Sequence, residues 1–335
     1  MTQNSKITIE EIAQKANVSI ATVSRILNNK DTVKPATREK VISIMEELQF
    51  KPKAPSSLNN SKSRVILMCV PDFNNPFNSL VIDGVQKAAH DNGYDVLLLQ
   101  SKDYYTESDD YLNILKNNSL AGMLILSSAP NNKLLEELSF RCPVVMCSEY
   151  SETYGVSYVS IDDVAAAQKA VNYLISIGCK KIGFLNCNMK FKYARHREKG
   201  YRLALENAGL EMNPEWTAHI SSINFNSALS HARHILSLQS RPDALFCTSD
   251  YFAVSAIRAA NELGIKVPEE LSIIGFDNID LSLMCNPPLT TIEQPCFDIG
   301  FQACELLIEK ILNPNTPDKQ VILHTELVVR NSTKL

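Results

Sequence analysis

Tryptophan is almost missing from this sequence, one residue in 335, and aromatic side chains make up only 7% of it. Also missing is an apolar run of the roughly 20 residues needed to cross a bilayer. The first sizeable run, Val65-Ile66-Leu67-Met68-Cys69-Val70, is far too short. The opening ten residues are polar, so neither a secretory signal nor a membrane anchor is expected. The nine cysteines are odd in number and contain no C-x-x-C spacing, which argues against a disulfide framework or a zinc ribbon. Most stand in apolar surroundings such as Val145-Met146-Cys147, and they read as buried free thiols in a reducing cytoplasm. His231 and His234 lack a neighbouring cysteine pair and read as a helix-surface pair, so no metal is expected. There is no G-x-G-x-x-G, P-loop or G-x-S-x-G, so neither a cofactor nor an enzymatic activity is expected.

Charge is present, and its distribution is uneven. The whole chain carries −4, yet up to Lys62 ten basic residues stand against six acidic ones. A basic head on an acidic body suits a head that meets phosphate.

The head has its own local grammar. Thr8-Ile9-Glu10-Glu11 fits a capping box, and Ile12, Ala13 and Ala16 follow at helical spacing. Asn17 stands where that helix must end and tolerates the left-handed conformation of a tight turn. Ser19 with Thr22 restarts capping, and Val23, Ile26 and Leu27 give a second inward stripe. Helix, short turn and helix within about twenty residues is helix-turn-helix geometry. Ile20, Ala21, Thr22, Ser24, Arg25 and Asn28 are left facing outward. Arg25 suits a guanine edge, while Ser19, Thr22, Ser24 and Asn28 can donate to phosphates.

Residues 8–28, continuing through Pro35-Ala36-Thr37-Arg38-Glu39-Lys40-Val41 to Leu48-Gln49-Phe50-Lys51-Pro52, resemble the headpiece of the lac-repressor (LacI/GalR) family. The resemblance implies that Ile20, Ala21 and Arg25 read bases and that Thr8, Ser19, Thr22, Ser24 and Asn28 anchor phosphates. Asn17 replaces the family's usual Gly, and Lys34 stands where a Ser often caps the third helix. The hinge, Pro52-Lys53-Ala54-Pro55-Ser56-Ser57-Leu58, is one residue shorter than usual and carries Pro55, tolerable only in a first helical turn. Leu58 keeps the chemistry of the family's minor-groove wedge.

From Arg64 onward, short β-branched runs alternate with amphipathic stretches. Strands are predicted over 65–70, 95–100, 122–126, 144–147, 158–161, 181–186, 244–247 and 271–275. Helices are predicted over stretches such as 77–92, 164–177, 197–208 and 252–263. Gly93, Gly178, Gly209 and Gly264 each follow one of these, where a C-cap glycine belongs. Such alternation indicates parallel α/β sheets, and some 270 residues of it indicate two lobes. Trp216, after Asn213-Pro214-Glu215, reads as part of a surface loop, and Asp162 with Asp163 as helix caps.

Motifs such as Pro71-Asp72-Phe73-Asn74-Asn75-Pro76-Phe77 and Ile274-Gly275-Phe276-Asp277-Asn278 again resemble the family. They imply a periplasmic-binding-protein-like body of two doubly wound lobes joined by three crossovers, with an effector in the cleft between them. The expected fold is therefore a small all-α helix-turn-helix headpiece (residues 1–50), a hinge (51–63) and an α/β body (64–335). The first lobe is expected at about 64–161 plus 292–322, and the second at about 162–291 plus 323–335. The resemblance places Phe77, Arg197, Phe225, Ser249, Asp277 and Gln294 at effector contacts, with Ser249 where Asn is frequent. It implies a cytoplasmic, nucleoid-associated homodimer that represses transcription from double-stranded operator DNA under control of a sugar-like effector. Two alternatives stay open: a catabolite-control-type regulator activated by a protein co-regulator, and a solute-binding receptor.

Overall fold

The computed structural model describes residues 9–19, 22–23, 26, 34–48, 63–101, 119–126, 131–221 and 223–334. In the head, helix α1 (Ile9–Ala16) turns Ile12, Ala13 and Ala16 inward against Val23, Ile26, Val41 and Met45. Asn17 takes φ 54° there, and the following Val18 N–H returns to the Ala13 carbonyl at 3.0 Å. That closes the helix as the sequence predicts, with Asn in place of Gly. The Ser19 hydroxyl accepts the Thr22 N–H at 3.1 Å and so caps the next helical turn. Helix α2 (Pro35–Glu47), with proline at its first position, supplies Val41 and Met45 to the same small core.

The body is built on two six-stranded sheets. In chain order its strands are β1 (Val65–Val70), β2 (Asp95–Gln100), β3 (Gly122–Ile125), β4 (Val144–Cys147), β5 (Ser157–Ile161), β6 (Ile182–Cys187), β7 (Thr217–Ile220), β8 (Ala244–Cys247), β9 (Ser272–Asp277), β10 (Thr290–Glu293), β11 (Gln320–Leu323) and β12 (Glu326–Val328). The first sheet runs β11-β5-β4-β3-β1-β2, entirely parallel. The second runs β12-β10-β9-β8-β6-β7, parallel except for β12, which lies antiparallel on β10. In each sheet the winding reverses beside its first strand, at β1/β3 and at β6/β8. Loops leaving neighbouring strands diverge at such a point and open a crevice at their carboxyl ends.

The chain passes between sheets three times: after Ile161, after Glu293 and after Leu323. Ile292 and Glu293 lie in the second sheet and Leu323 in the first, so two crossings sit one or two residues from the positions expected. After the second crossing, helix α10 (Cys296–Leu312) packs on α3 (Pro76–Asp91) over the first sheet. Gly84 and Gly300 make that approach possible, because a methyl on Gly300 would overlap the Val81 carbonyl oxygen. Gly93, Gly178, Gly209 and Gly264 all have positive φ at helix ends.

Several elements lie outside the predicted set, chiefly β7, β10, β11 and β12. These are short strands of three or four residues, and β11 alternates exposed and half-buried positions at the sheet edge. Trp216 is a correction. It sits in a single 3₁₀ turn (Pro214–Trp216), buried in the second lobe's core with its indole N–H donated to the Ser240 carbonyl at 2.7 Å. Among the described residues, no helix is long and apolar enough to cross a membrane.

Candidate functional site

A cavity of about 550 Å³ opens between the two sheets. Strand carboxyl ends line it: Asp72 follows β1, Gln100 ends β2, Leu126 follows β3, Ser148 and Glu149 follow β4. From the other side come Cys187 at the end of β6, Thr248 and Ser249 after β8, Asp277 at the end of β9, and Gln294 after β10. Helix starts add the aromatic walls. Asn75 caps α3 by accepting the Phe77 N–H at 3.1 Å, which fixes Phe77 at the mouth of that helix. Helix α6 (Lys192–Asn207) brings Phe191 and Tyr193, whose rings stack with centroids 5.3 Å apart.

Beneath those rings lies a buried charge network. Asp163, the first residue of α5 (Asp163–Ser176), receives Lys192 Nζ on one oxygen at 2.9 Å and Arg197 Nε on the other at 2.9 Å. Arg197 also donates Nη1 to the Thr248 carbonyl at 2.7 Å and lies 3.6 Å over the Phe276 ring. Two of its three nitrogens therefore serve the protein itself. Burial pushes the Asp163 carboxyl up, but the Lys192 and Arg197 charges outweigh it and hold Asp163 below the usual carboxylate range.

Asp277 is placed differently. It ends β9 at φ 113°, a conformation rare for a non-glycine residue and tolerated best by Asp and Asn. Gln294 Nε2 donates to its Oδ1 at 2.6 Å, while Arg197 Nη1 stays 3.9 Å away. Burial lifts its pKa to about 6 despite the Arg197 charge and the hydrogen bonds from Gln294 and Ser249. In the same cavity lining, two buried oxygens have no hydrogen-bond partner among the described residues: Gln294 Oε1 and Thr248 Oγ1. A buried polar atom without a partner costs about 1–3 kcal/mol, so such atoms mark where a bound molecule or water is accommodated.

Of the six residues the resemblance assigns to effector contacts, Phe77, Arg197, Ser249, Asp277 and Gln294 line this cavity. Phe225 does not: it begins helix α7 (Phe225–Leu236) with 37% of its surface exposed, and its neighbour Asn224 lines the cavity instead. Ser249 also caps helix α8 (Asp250–Glu262) through the Tyr251 N–H at 3.2 Å. The cap reading of Asp162 agrees with its bond to the Ala165 N–H at 3.0 Å. Asp163 is instead the hub of the buried network. Phe191, Tyr193, Glu149, Lys192 and Thr248 were not singled out from sequence. The one local hint was a second acid beside a helix start that needs only one cap.

In the head, Ser19 and Thr22 join their hydroxyls at 2.9 Å. Thr8, Ile20, Ala21, Ser24, Arg25, Asn28 and Leu58 lie outside the described residues.

Comparison with known proteins agrees with both halves. Residues 8–53 match the description "Bacterial regulatory proteins, lacI family", and residues 171–333 match a periplasmic binding protein-like domain. The chain is 36% identical over 334 residues to the HTH-type transcriptional repressor CytR of Escherichia coli, covering 99% of this chain and 98% of that one. It is 32% identical to the ribose operon repressor of Haemophilus influenzae, covering 97% and 98%. Among solved structures, the transcriptional regulator CelR in its cellobiose complex superposes with a TM-score of 0.75 at 28% identity, covering 97% and 99%. These relatives are transcriptional repressors and a transcriptional regulator rather than enzymes, and the chain belongs to the lacI family of bacterial regulatory proteins as a DNA-binding transcriptional regulator.

Proposed function

We propose that this regulator represses transcription as a homodimer on a two-fold-related operator, and that a neutral, polyhydroxylated ligand in the inter-lobe cleft controls it. The observation that carries the ligand class is the cleft itself. Flat aromatic walls (Phe77, Phe191, Tyr193) line the same cavity as the carboxylate of Asp277 and as Thr248 Oγ1 and Gln294 Oε1, which have no hydrogen-bond partner among the described residues. Flat faces take the apolar face of a sugar, and fixed acceptors take its hydroxyls. The cationic groups near the floor, Lys192 and Arg197, are already paired with Asp163, and Asp72, Glu149 and Asp277 add negative charge. Lys190 is the one further cation among the described lining residues, so a phosphate ester would meet more carboxylates than unengaged positive charge there. A sugar or sugar derivative such as a pentose or a disaccharide fits that balance, in keeping with the cellobiose bound to CelR.

A thermal-shift screen of neutral sugars against their phosphate esters tests this reading. Stabilisation by a neutral sugar and none by its ester is the expected pattern; stabilisation by esters alone would overturn it. Calorimetry then measures the coupling, expected at about 1–3 kcal/mol, between ligand and operator. Because coupling is reciprocal, equal ligand affinity with and without operator would exclude allosteric control.

One headpiece offers too few contacts for tight specific binding, which supports a dimer reading two half-sites. Exposed apolar side chains suit a second copy: Leu283 and Met284, 61% and 75% exposed on the short helix α9 (Leu281–Met284), and Leu97 on the edge strand β2. Sedimentation at micromolar concentration should give a dimer, and a monomer would refute this reading. Arg25→Ala should cost about 1–3 kcal/mol of operator affinity and relax preference at one base pair per half-site. Equal loss on every sequence would make Arg25 a phosphate contact. We place the headpiece at residues 1–50, the hinge at 51–63 with Leu58 as its minor-groove wedge, and the site of action in the cytoplasm with the nucleoid.

A further inference from the structure

Helix α6 starts without a cap of its own. Phe191 occupies the N-cap position and offers no side-chain acceptor, which leaves the first amides of the helix to be satisfied from elsewhere. Both oxygens of one carboxylate do so: Glu149 Oε2 accepts the Lys192 N–H and Oε1 accepts the Tyr193 N–H, each at 3.0 Å. Glu149 follows β4 and so belongs to the first sheet's lobe, whereas α6 follows β6 in the second.

The same short loop grips the helix twice more. Ser148, at φ 66°, offers its carbonyl to Lys192 Nζ at 3.4 Å, and that ammonium lies 4.1 Å over the Tyr150 ring. At the rim, Glu152 pairs with Arg195 at 2.6 Å and with His196 at 2.9 Å. Residues 148–152 of one lobe therefore hold the first turn of a helix that also carries Tyr193 and Arg197 into the cleft. Separating the lobes would strip α6 of its cap and return the Glu149 carboxylate to water, while Lys192 would keep Asp163. At this contact the exchange between those two states is one of hydrogen bonds for hydration.

We propose that Glu149 is a helix cap supplied across the lobe boundary and that this cap, backed by Lys192, sets how far the two lobes close. It acts as a positioning residue, and the inference holds whichever ligand the cleft takes.

The test uses the full chain with spin labels on two exposed lysine positions, Lys133→Cys in the first lobe and Lys199→Cys in the second. Cys285, the half-buried thiol, is replaced by Ser, and the other eight native thiols are buried. Electron–electron distance measurements should give a narrow distribution in the parent, and a longer, broader one in Glu149→Ala. Glu149→Gln keeps the volume but loses one of the two acceptors, and should fall between them. Amide exchange at Lys192 and Tyr193 should rise at least about tenfold in Glu149→Ala, with helix 250–262 unchanged. An unchanged distance distribution in both variants would overturn the proposal. So would a uniform rise in exchange through both lobes, since that marks general loosening. If Glu149→Ala does not fold, Glu149→Gln decides alone by the same two readings.

Discussion

Asp163→Ala is expected to remove about 3–5 kcal/mol of stability, the usual cost of taking one partner out of a buried ion network. Its side chain is 2% exposed and is the only carboxylate among the described residues within 3 Å of either Lys192 Nζ or Arg197 Nε. Without it, Lys192 keeps Glu149 at 3.9 Å, and Arg197 keeps the Thr248 carbonyl and a distant Asp277. Neither is a contact ion pair, so two buried cations lose most of their compensation. The pH dependence has a definite sign. Because Asp163 titrates below its unfolded value, its contribution is complete above about pH 4 and disappears as pH falls through the folded value. Urea titration should show a lower midpoint with unchanged slope, and a flatter acid limb in the variant. A loss below about 1 kcal/mol would mean that solvent reaches the network and screens it.

The regular elements of this fold were legible because their signals are local. Asn17 and the four C-cap glycines announce backbone turns that few other residues make, and each takes positive φ. The apolar strands β1, β4 and β8 are buried almost throughout, and a parallel sheet writes such runs continuously. The edge strands were not legible. β11 and β12 exist because β5 and β10 offer them a ladder, and their own residues alternate without a strong pattern. The site divides in the same way. Phe77, Ser249, Asp277 and Gln294 stand at fixed offsets from strand ends, so a family pattern locates them. Lys192, Glu149 and Asp163 are separated by 14 to 43 residues of sequence, and Glu149 meets the other two only across the lobe boundary. A lysine is ordinarily solvated, so nothing in its neighbourhood marked Lys192 as buried. Phe225 fell the other way, because a helix start one residue from a cleft residue can point its side chain outward.

Those buried pairs also change what Arg197 means. A guanidinium bonded to Asp163 and to the Thr248 carbonyl fixes the second lobe's floor before it greets any ligand. Substitution of Arg197 therefore mixes lost stability with lost recognition and is a poor probe of the effector site. Asp277 separates the two.

Asp277→Asn should weaken the cleft ligand about 10- to 100-fold, the equivalent of one hydrogen bond to a charged acceptor. Asn is the informative replacement because it tolerates φ 113° and can still accept from Gln294, so the backbone and the neighbouring amide stay in place. In the parent, affinity should be flat above about pH 7 and decline below pH 6, where the Asp277 carboxyl, with its pKa lifted to about 6, takes up a proton. The variant should lose that dependence. Stability runs opposite to Asp163. A folded pKa above the unfolded value means Asp277 weakens the fold as pH rises from about 4 through 6, and the deficit persists at neutral pH. The Asn variant should therefore melt no lower than the parent at pH 7 while responding poorly to sugar. Operator affinity without ligand should be retained, since headpiece and cleft draw on separate residues. Such a split, a fold kept with its response lost, is the mark of a group held in a costly state for its ligand. Calorimetry across pH 5–8 decides it: parent affinity that is flat over that range and matched by Asp277→Asn would remove Asp277 from the ligand's contacts.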